Sequence, residues 1–217
     1  MLVIACAADC KKGFFYDLER KASEQAMFLF KLLDPFSWSA MIDWELSVAR
    51  RFPSDIICFV DAWDFIMQGK AQDIVAALGN NTLIYHSEAI CWPEPHKADA
   101  YPPAPTRNRF VNGTGPCGYG HEIERAITYG LREWPIRGVQ SSIFADNDQR
   151  FWTDCFLAGF GAIDYHNKLS VSLNTVERSG FTILEHRLVL NSGVTPAFIH
   201  ANGASRGSYA AELETLR

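Results

Sequence analysis

The chain has 217 residues, 48% hydrophobic and 21% charged, which suits a full globular core and excludes a disordered chain. Its formal charge of −5, from 20 basic and 25 acidic residues, argues against a general nucleic-acid binder. No apolar run approaches the roughly 18 residues that would suggest a membrane span.

Leu2 to Ala8 predicts a buried first strand. It lacks the basic flank of a signal peptide, and Asp9, Lys11 and Lys12 follow at once. Phe14 to Gln25 has the period of an amphipathic helix, and Ala26 to Leu33 is a second apolar strand. Ser39 to Arg51 is helical in pattern and stops before Pro53. Residues 55–60 are almost continuously apolar, as in a strand buried on both faces. Lys70 to Leu78 then reads as a short helix and Thr82 to His86 as a strand. The order βαβαβαβ predicts an α/β fold with a mostly parallel central sheet flanked by helices.

The second half is more irregular. Five prolines between Trp92 and Pro105 indicate a long surface loop, a frequent carrier of function. The glycine-rich run 113–120 matches GxGxxG at Gly113, Gly115 and Gly118. It comes late, contains Pro116, and has only the helical Glu133 near the acidic position expected about 20 residues on. A segment where backbone approaches closely fits it better than a dinucleotide loop. His121 to about Glu133 and Phe151 to Phe160 read as helices. Ala162 to Leu173 contains strand-like pieces, and Ala197 to His200 is a last apolar run.

The six cysteines form no CxxC pair, and buried reduced thiols are expected rather than disulfides or a zinc cluster. The expected compartment is the cytoplasm. A homo-oligomer stays open.

Candidate functional residues gather where strands end. Asp61 and Asp64 follow the strand at 55–60, where an α/β sheet binds its ligands. Such a pair suits Mg²⁺ or Mn²⁺, although a helix cap and a turn would explain it equally well. His200 ends an apolar run before a turn and could complete a facial ligand set; a lone histidine is more often structural. Arg206 follows within reach of phosphate. Asp146, Asn147, Asp148 and Gln149 precede an apolar helix, and one of them suffices to cap it. Glu88 stands after another strand, close to Trp92. A carboxylate beside an indole suits sugar recognition, while a cap and a half-buried Trp serve as well.

In order, these pieces resemble the glycosyltransferase domain of the procollagen lysyl hydroxylase and procollagen galactosyltransferase families. The resemblance covers about Asp55 to Arg206. It rests on the D-x-x-D at Asp61–Asp64, on Ser87-Glu88 leading to Cys91-Trp92-Pro93, and on Tyr101-Pro102. Asn112 to Tyr119, Asn147-Asp148-Gln149, and His200-Ala201-Asn202-Gly203 ending at Arg206 complete it. It implies a GT-A-like fold, a nucleotide-diphosphate sugar donor (a UDP-sugar foremost), a hydroxyl-bearing acceptor, retention, and Mn²⁺ or Mg²⁺. By that analogy Asp61, Asp64 and His200 hold the metal. Ala7, Trp63, Trp92, Asn112, Asn202, Gly203 and Arg206 bind donor or substrate. Glu88, Asp146 and Asp148 stand on the catalytic side. Residues 1–90 would form the nucleotide-binding half and 91–217 the acceptor half with a metal-closing C-terminal segment, all in one domain.

Three positions depart from the family pattern. Arg206 stands for a lysine, Asn147 for an acid, and Phe36 to Asp43 carries neither the usual glycine-rich turn nor its lysine. These changes leave a catalytically silent sugar- or partner-binding relative as the alternative, with a metal-dependent phosphate-ester hydrolase as a weaker one.

Overall fold

The computed structural model describes residues 1–136 and 147–216. Among them, six strands form a central sheet in the order β2 (Met27–Leu32), β1 (Leu2–Ala8), β3 (Ile56–Phe59), β6 (Phe110–Tyr119), β5 (Leu83–Glu88) and β7 (Ala162–Ile163). Strand β1 (Leu2–Ala8) is buried at every residue except Ala7 and pairs in parallel with β2 (Met27–Leu32) and β3 (Ile56–Phe59). A strand covered on both faces has to be apolar on both, which is why its sequence lacks alternation. Burying a side chain such as Val3 or Ile4 stabilises the fold by about 1.5–3 kcal/mol.

Helices cover both faces. On one lie α2 (Trp38–Arg51), α4 (Gly120–Ile136) and α5 (Asp148–Leu157), whose Ile42, Ile127, Phe151 and Trp152 share a core with Val3 and Phe59. On the other lie α1 (Phe15–Ser23) and α3 (Ala71–Leu78), packing Phe15, Leu18 and Ile74 against Ile4 and Cys58. The Ser37 hydroxyl caps α2, accepting from the Ala40 N–H at 3.1 Å. Each cysteine is a free thiol, as expected. No helix among the described residues is long and apolar enough to cross a membrane.

The glycine-rich run is a strand. β6 (Phe110–Tyr119) lies antiparallel between β3 and β5 (Leu83–Glu88), the one reversed member of an otherwise parallel sheet. A Cβ on Gly118 would sit 2.5 Å from the Thr82 carbonyl oxygen, so glycine permits this contact. Close approach of backbone is therefore correct, but inside the sheet. The register also slips: Tyr85 pairs with Pro116, yet Ser87 pairs with Val111 where continuous pairing would select Thr114. The extra chain lets Asn112, Gly113 and Thr114 bow out at the end of the sheet.

Strand β4 (Phe65–Met67) and the hairpin β9 (Phe181–Leu184) with β10 (Arg187–Leu190) are additional to the predicted order. They are short, and the hairpin alternates too weakly to be read. The helix expected from Phe151 begins earlier, at Asp148. Strand β4 joins β11 (Phe198–His200) and β8 (Ser170–Ser172) in a small sheet beside the main one. The result is an α/β fold with a mainly parallel central sheet flanked by helices, consistent with the GT-A-like expectation.

Candidate functional site

Asp61 follows the end of β3, and Asp64 lies in the short connection to β4. Pairing places the third group: β11 runs antiparallel to β4 with His200 opposite Phe65. The Ala201 N–H donates to the Asp64 carbonyl at 2.8 Å and locks this crossing. Consequently His200 Nε2 lies 3.2 Å from Asp61 Oδ2 and 3.4 Å from Asp64 Oδ1. Ligand atoms from the three residues all fall within 4.8 Å of one another.

The three groups shift one another's titration. Burial alone would lower the His200 pKa, but the Asp64 and Asp61 carboxylates outweigh it and lift it to about 10. Burial would raise Asp64, yet His200 and then Arg206 carry it below the usual range. Asp61 stays raised, by burial first. Both His200 Nε2 and Asp64 Oδ1 are buried without a well-formed hydrogen bond. Two carboxylates and a neutral imidazole, converging with orphaned atoms, fit a divalent cation such as Mn²⁺ or Mg²⁺.

These residues stand between two cavities. The larger, about 420 Å³, is lined by Glu88, Trp92, Asn112, Asp148, Asn202 and Gly203 among others. The smaller, about 280 Å³, is lined by Ala7, Phe36, Trp38, Met41 and Trp63. Trp38, Asp61 and Asp64 face both.

In the larger cavity, the buried Glu88 carboxylate accepts from Gln149 Nε2 and, at 3.2 Å, from Asn112 Nδ2. Gln149 Nε2 also donates to the Val111 carbonyl at 2.7 Å, fastening α5 to the bowed part of β6. Burial raises the Glu88 pKa, and the two amide bonds offset part of that. Asn147 does the capping: its Oδ1 accepts from the Gln149 N–H at 2.8 Å. That leaves Asp148 free to face the cavity, its pKa pushed well up by burial and then by Asp61. Gly113 makes room, since a Cβ there would lie 2.9 Å from Gln149 Cβ and 3.0 Å from Asp148 Oδ1. Asp146 lies outside the described residues.

In the smaller cavity, Trp63 is anchored through Nε1, which donates to the Cys10 carbonyl at 3.0 Å. Lys12 Nζ sits 3.6 Å from the centre of the same ring. Phe36, Trp38 and Met41 complete the wall, residues the sequence reading did not select. Their signal was a pair of aromatics, Phe36 and Trp38, on either side of the Ser37 cap of α2; in the fold their ring centres lie 5.1 Å apart. Thr114 and Asn174 in the larger cavity were missed too. Arg206 is exposed beside Gly13, its guanidinium 5.5 Å from the Phe14 ring centre, and lines neither cavity. It acts on the site through its charge on Asp64.

The family model described as PLOD GT domain matches residues 41–211. The chain belongs to that family. Like the other members, it is a glycosyltransferase domain. Among similar proteins is the human multifunctional procollagen lysine hydroxylase and glycosyltransferase LH3, 31% identical over 104 residues, 47% of this chain and 13% of the human one. Its rat counterpart is 24% identical over 163 residues, covering 70% of this chain and 21% of the rat protein. An uncharacterized protein of Acanthamoeba polyphaga mimivirus is 24% identical over 172 residues, covering 75% and 35%. The chain thus matches well under half the length of each of these relatives. The PLOD GT domain match starts at Met41, within α2, so Ala7 and the Phe36–Trp38 wall precede it.

Proposed function

We propose that this PLOD GT domain transfers a sugar, with retention, from a nucleotide-diphosphate donor to a hydroxyl acceptor, and that the donor is a UDP-sugar. The observation that carries the reading is the convergence of Asp61, Asp64 and His200 at the junction of an aromatic-walled cavity and a polar one. A donor laid across that junction has its base between Trp63 and Trp38, its diphosphate beside the three ligands, and its sugar facing Glu88 and Asp148. Residues 1–90 then supply most of the nucleotide side and 91–217 most of the sugar and acceptor side.

Asp61, Asp64 and His200 would hold Mn²⁺, or Mg²⁺ in its place. When bound, the ion supplies Lewis-acid stabilisation of the charge on the departing nucleotide diphosphate. Arg206 adds positive charge near Asp64 on that side. Asn112 and Gln149 hold Glu88 with an oxygen toward the cavity, where it can accept a hydrogen bond from a sugar or acceptor hydroxyl. Trp92, 54% exposed at the rim, offers an indole face to a sugar ring and shields the reacting bond from water. The retaining outcome rests on the family resemblance.

The test is release of UDP from UDP-glucose and UDP-galactose with Mn²⁺ and no acceptor. Slow release that stops on chelation is expected. A folded protein that binds none of the UDP, GDP, TDP or CMP sugars and releases nothing would be a silent relative instead. Anomeric analysis of a transfer product by NMR decides retention.

A further inference from the structure

We propose that the larger cavity continues into a polar groove that seats an extended glycan acceptor, beyond the sugar unit that receives the transfer. This assignment rests on the glycosyltransferase reading above. The continuity is physical. A hollow of about 460 Å³ shares Ile90 and Asn174 with the catalytic cavity and extends it past Arg107, Val176 and Glu177. A further cleft of about 380 Å³ shares those last three residues and runs on between Tyr165, His166 and Asn191.

The walls are pinned before any ligand arrives. Thr106 Oγ1 donates to the Tyr165 carbonyl at 2.6 Å, and Asn191 Nδ2 donates to the Ser179 carbonyl at 2.7 Å. Arg107 donates to the Thr175 carbonyl, and Asn108 Nδ2 donates to Asn167 Oδ1. A groove already ordered spares an incoming chain the entropy of arranging it.

Its chemistry selects the occupant. Arg107 and Glu177 bring opposite charges to the same stretch, so a polyanion or a polycation would meet one repulsive partner. Hydroxyls and amides of Thr106, Asn108, Ser179 and Asn191 supply both donors and acceptors, the complement of neutral sugar hydroxyls. Trp92, exposed at one end, presents its ring to the apolar face of a sugar, and Tyr165 lines the other end. An extended peptide held through its main chain needs a sheet edge, whereas the hollow is built from loops and a helical turn at residues 89–90, 107 and 174–177.

The experiment measures acceptor-stimulated UDP release in Mn²⁺ from UDP-glucose and UDP-galactose. The acceptors are glucose and galactose mono-, di- and tetrasaccharides, with a serine- and threonine-bearing decapeptide for comparison. A rise in kcat/KM of about tenfold from mono- to tetrasaccharide is expected, carried by KM because the added contacts are the same in the ground state and the transition state. Glu177→Ala and His166→Ala erase that preference, with an unchanged melting point to show that the fold is intact. Equal kcat/KM at all lengths, no stimulation by any saccharide, a preference that survives both substitutions, or transfer to the peptide alone overturns the groove while the glycosyltransferase reading stands. Absence of UDP release from either donor removes that reading, and the groove with it.

Discussion

His200 Nε2 lies 3.2 Å from Asp61 Oδ2, although one ends a strand of the small sheet and the other follows a strand of the main sheet far away in the chain. In the main sheet β3 ends at Phe59, two residues before Asp61, and in the small sheet β11 ends at His200, so the site forms only when both sheets are in register. Replacing Asp61 by Asn or Asp64 by Ala removes an anionic ligand while leaving β3 and β4 in place. Donor hydrolysis falls by roughly 100-fold or more, and the rise in melting point with Mn²⁺ disappears. An undiminished Mn²⁺ shift in Asp64→Ala would remove it from the ligand set.

Metal binding at the proposed site is expected to release a proton. Without a cation, the pKa of His200 is raised to about 10, so the imidazole is charged at neutral pH. A ligand has to be neutral, so the proton competes with the ion and Mn²⁺ affinity rises with pH up to that value. Calorimetric titration in buffers of different ionisation enthalpy should give about one proton released per ion at pH 7. Affinity that is flat between pH 6 and 9 contradicts this.

Gln149 tunes Glu88. Its N–H bond favours the ionised carboxylate, so Gln149→Ala raises the Glu88 pKa further. If ionised Glu88 serves the reaction, the acidic limb of the kcat profile moves to higher pH. Loss of the bonds to Glu88 and Val111 should cost about 1–3 kcal/mol of stability, read from chemical denaturation. An unchanged pH profile alongside the stability loss makes Gln149 a structural support only.

Gly113→Ala tests the close packing at the cavity floor. The added methyl would meet Gln149 Cβ and Asp148 Oδ1, so it displaces the start of α5 while Asp61, Asp64 and His200 are not among its nearest neighbours. Overpacking of this kind costs about 1–3 kcal/mol. Transfer should fall by about tenfold or more, with Mn²⁺ affinity retained. Wild-type turnover would mean that the position of Asp148 does not matter to the reaction.

Trp38→Ala opens the wall shared by the two cavities. The expected effect is a roughly tenfold weaker UDP affinity by calorimetry, the loss of one aromatic contact. Affinity equal to wild type would place the base elsewhere.

Much of this was legible because its cause is local. Continuous apolarity in Leu2–Ala8 and Ile56–Phe59 marks buried strands, and the helical pattern from Ser39 to Arg51 with Pro53 behind it falls within one residue of α2. Asp61 and Asp64 stand out at a strand end because bare carboxylates are costly in a core. Glu88, Asn112 and Asp148 were found through the ordered motifs, and all three line one cavity.

Tertiary structure decided the rest. The direction of β6 and its slip from Thr114 to Val111 depend on partners β3 and β5, and no local period encodes a partner. Which polar residue capped α5 and which faced the cavity depended on where β6 bowed out, since Asn147 and Asp148 are chemically able to do either job. The Phe36, Trp38 and Met41 wall exists because the first turn of α2 and the residue before its cap lie beside the end of β1. The sequence by itself determined β1, β2, β3 and β5, their apolar character and the acidic residues after β3 and at the end of β5, all consequences of short-range patterning. The meeting of His200 with Asp61 and Asp64, and the opening of two cavities around them, came from strand pairing between segments far apart in the chain.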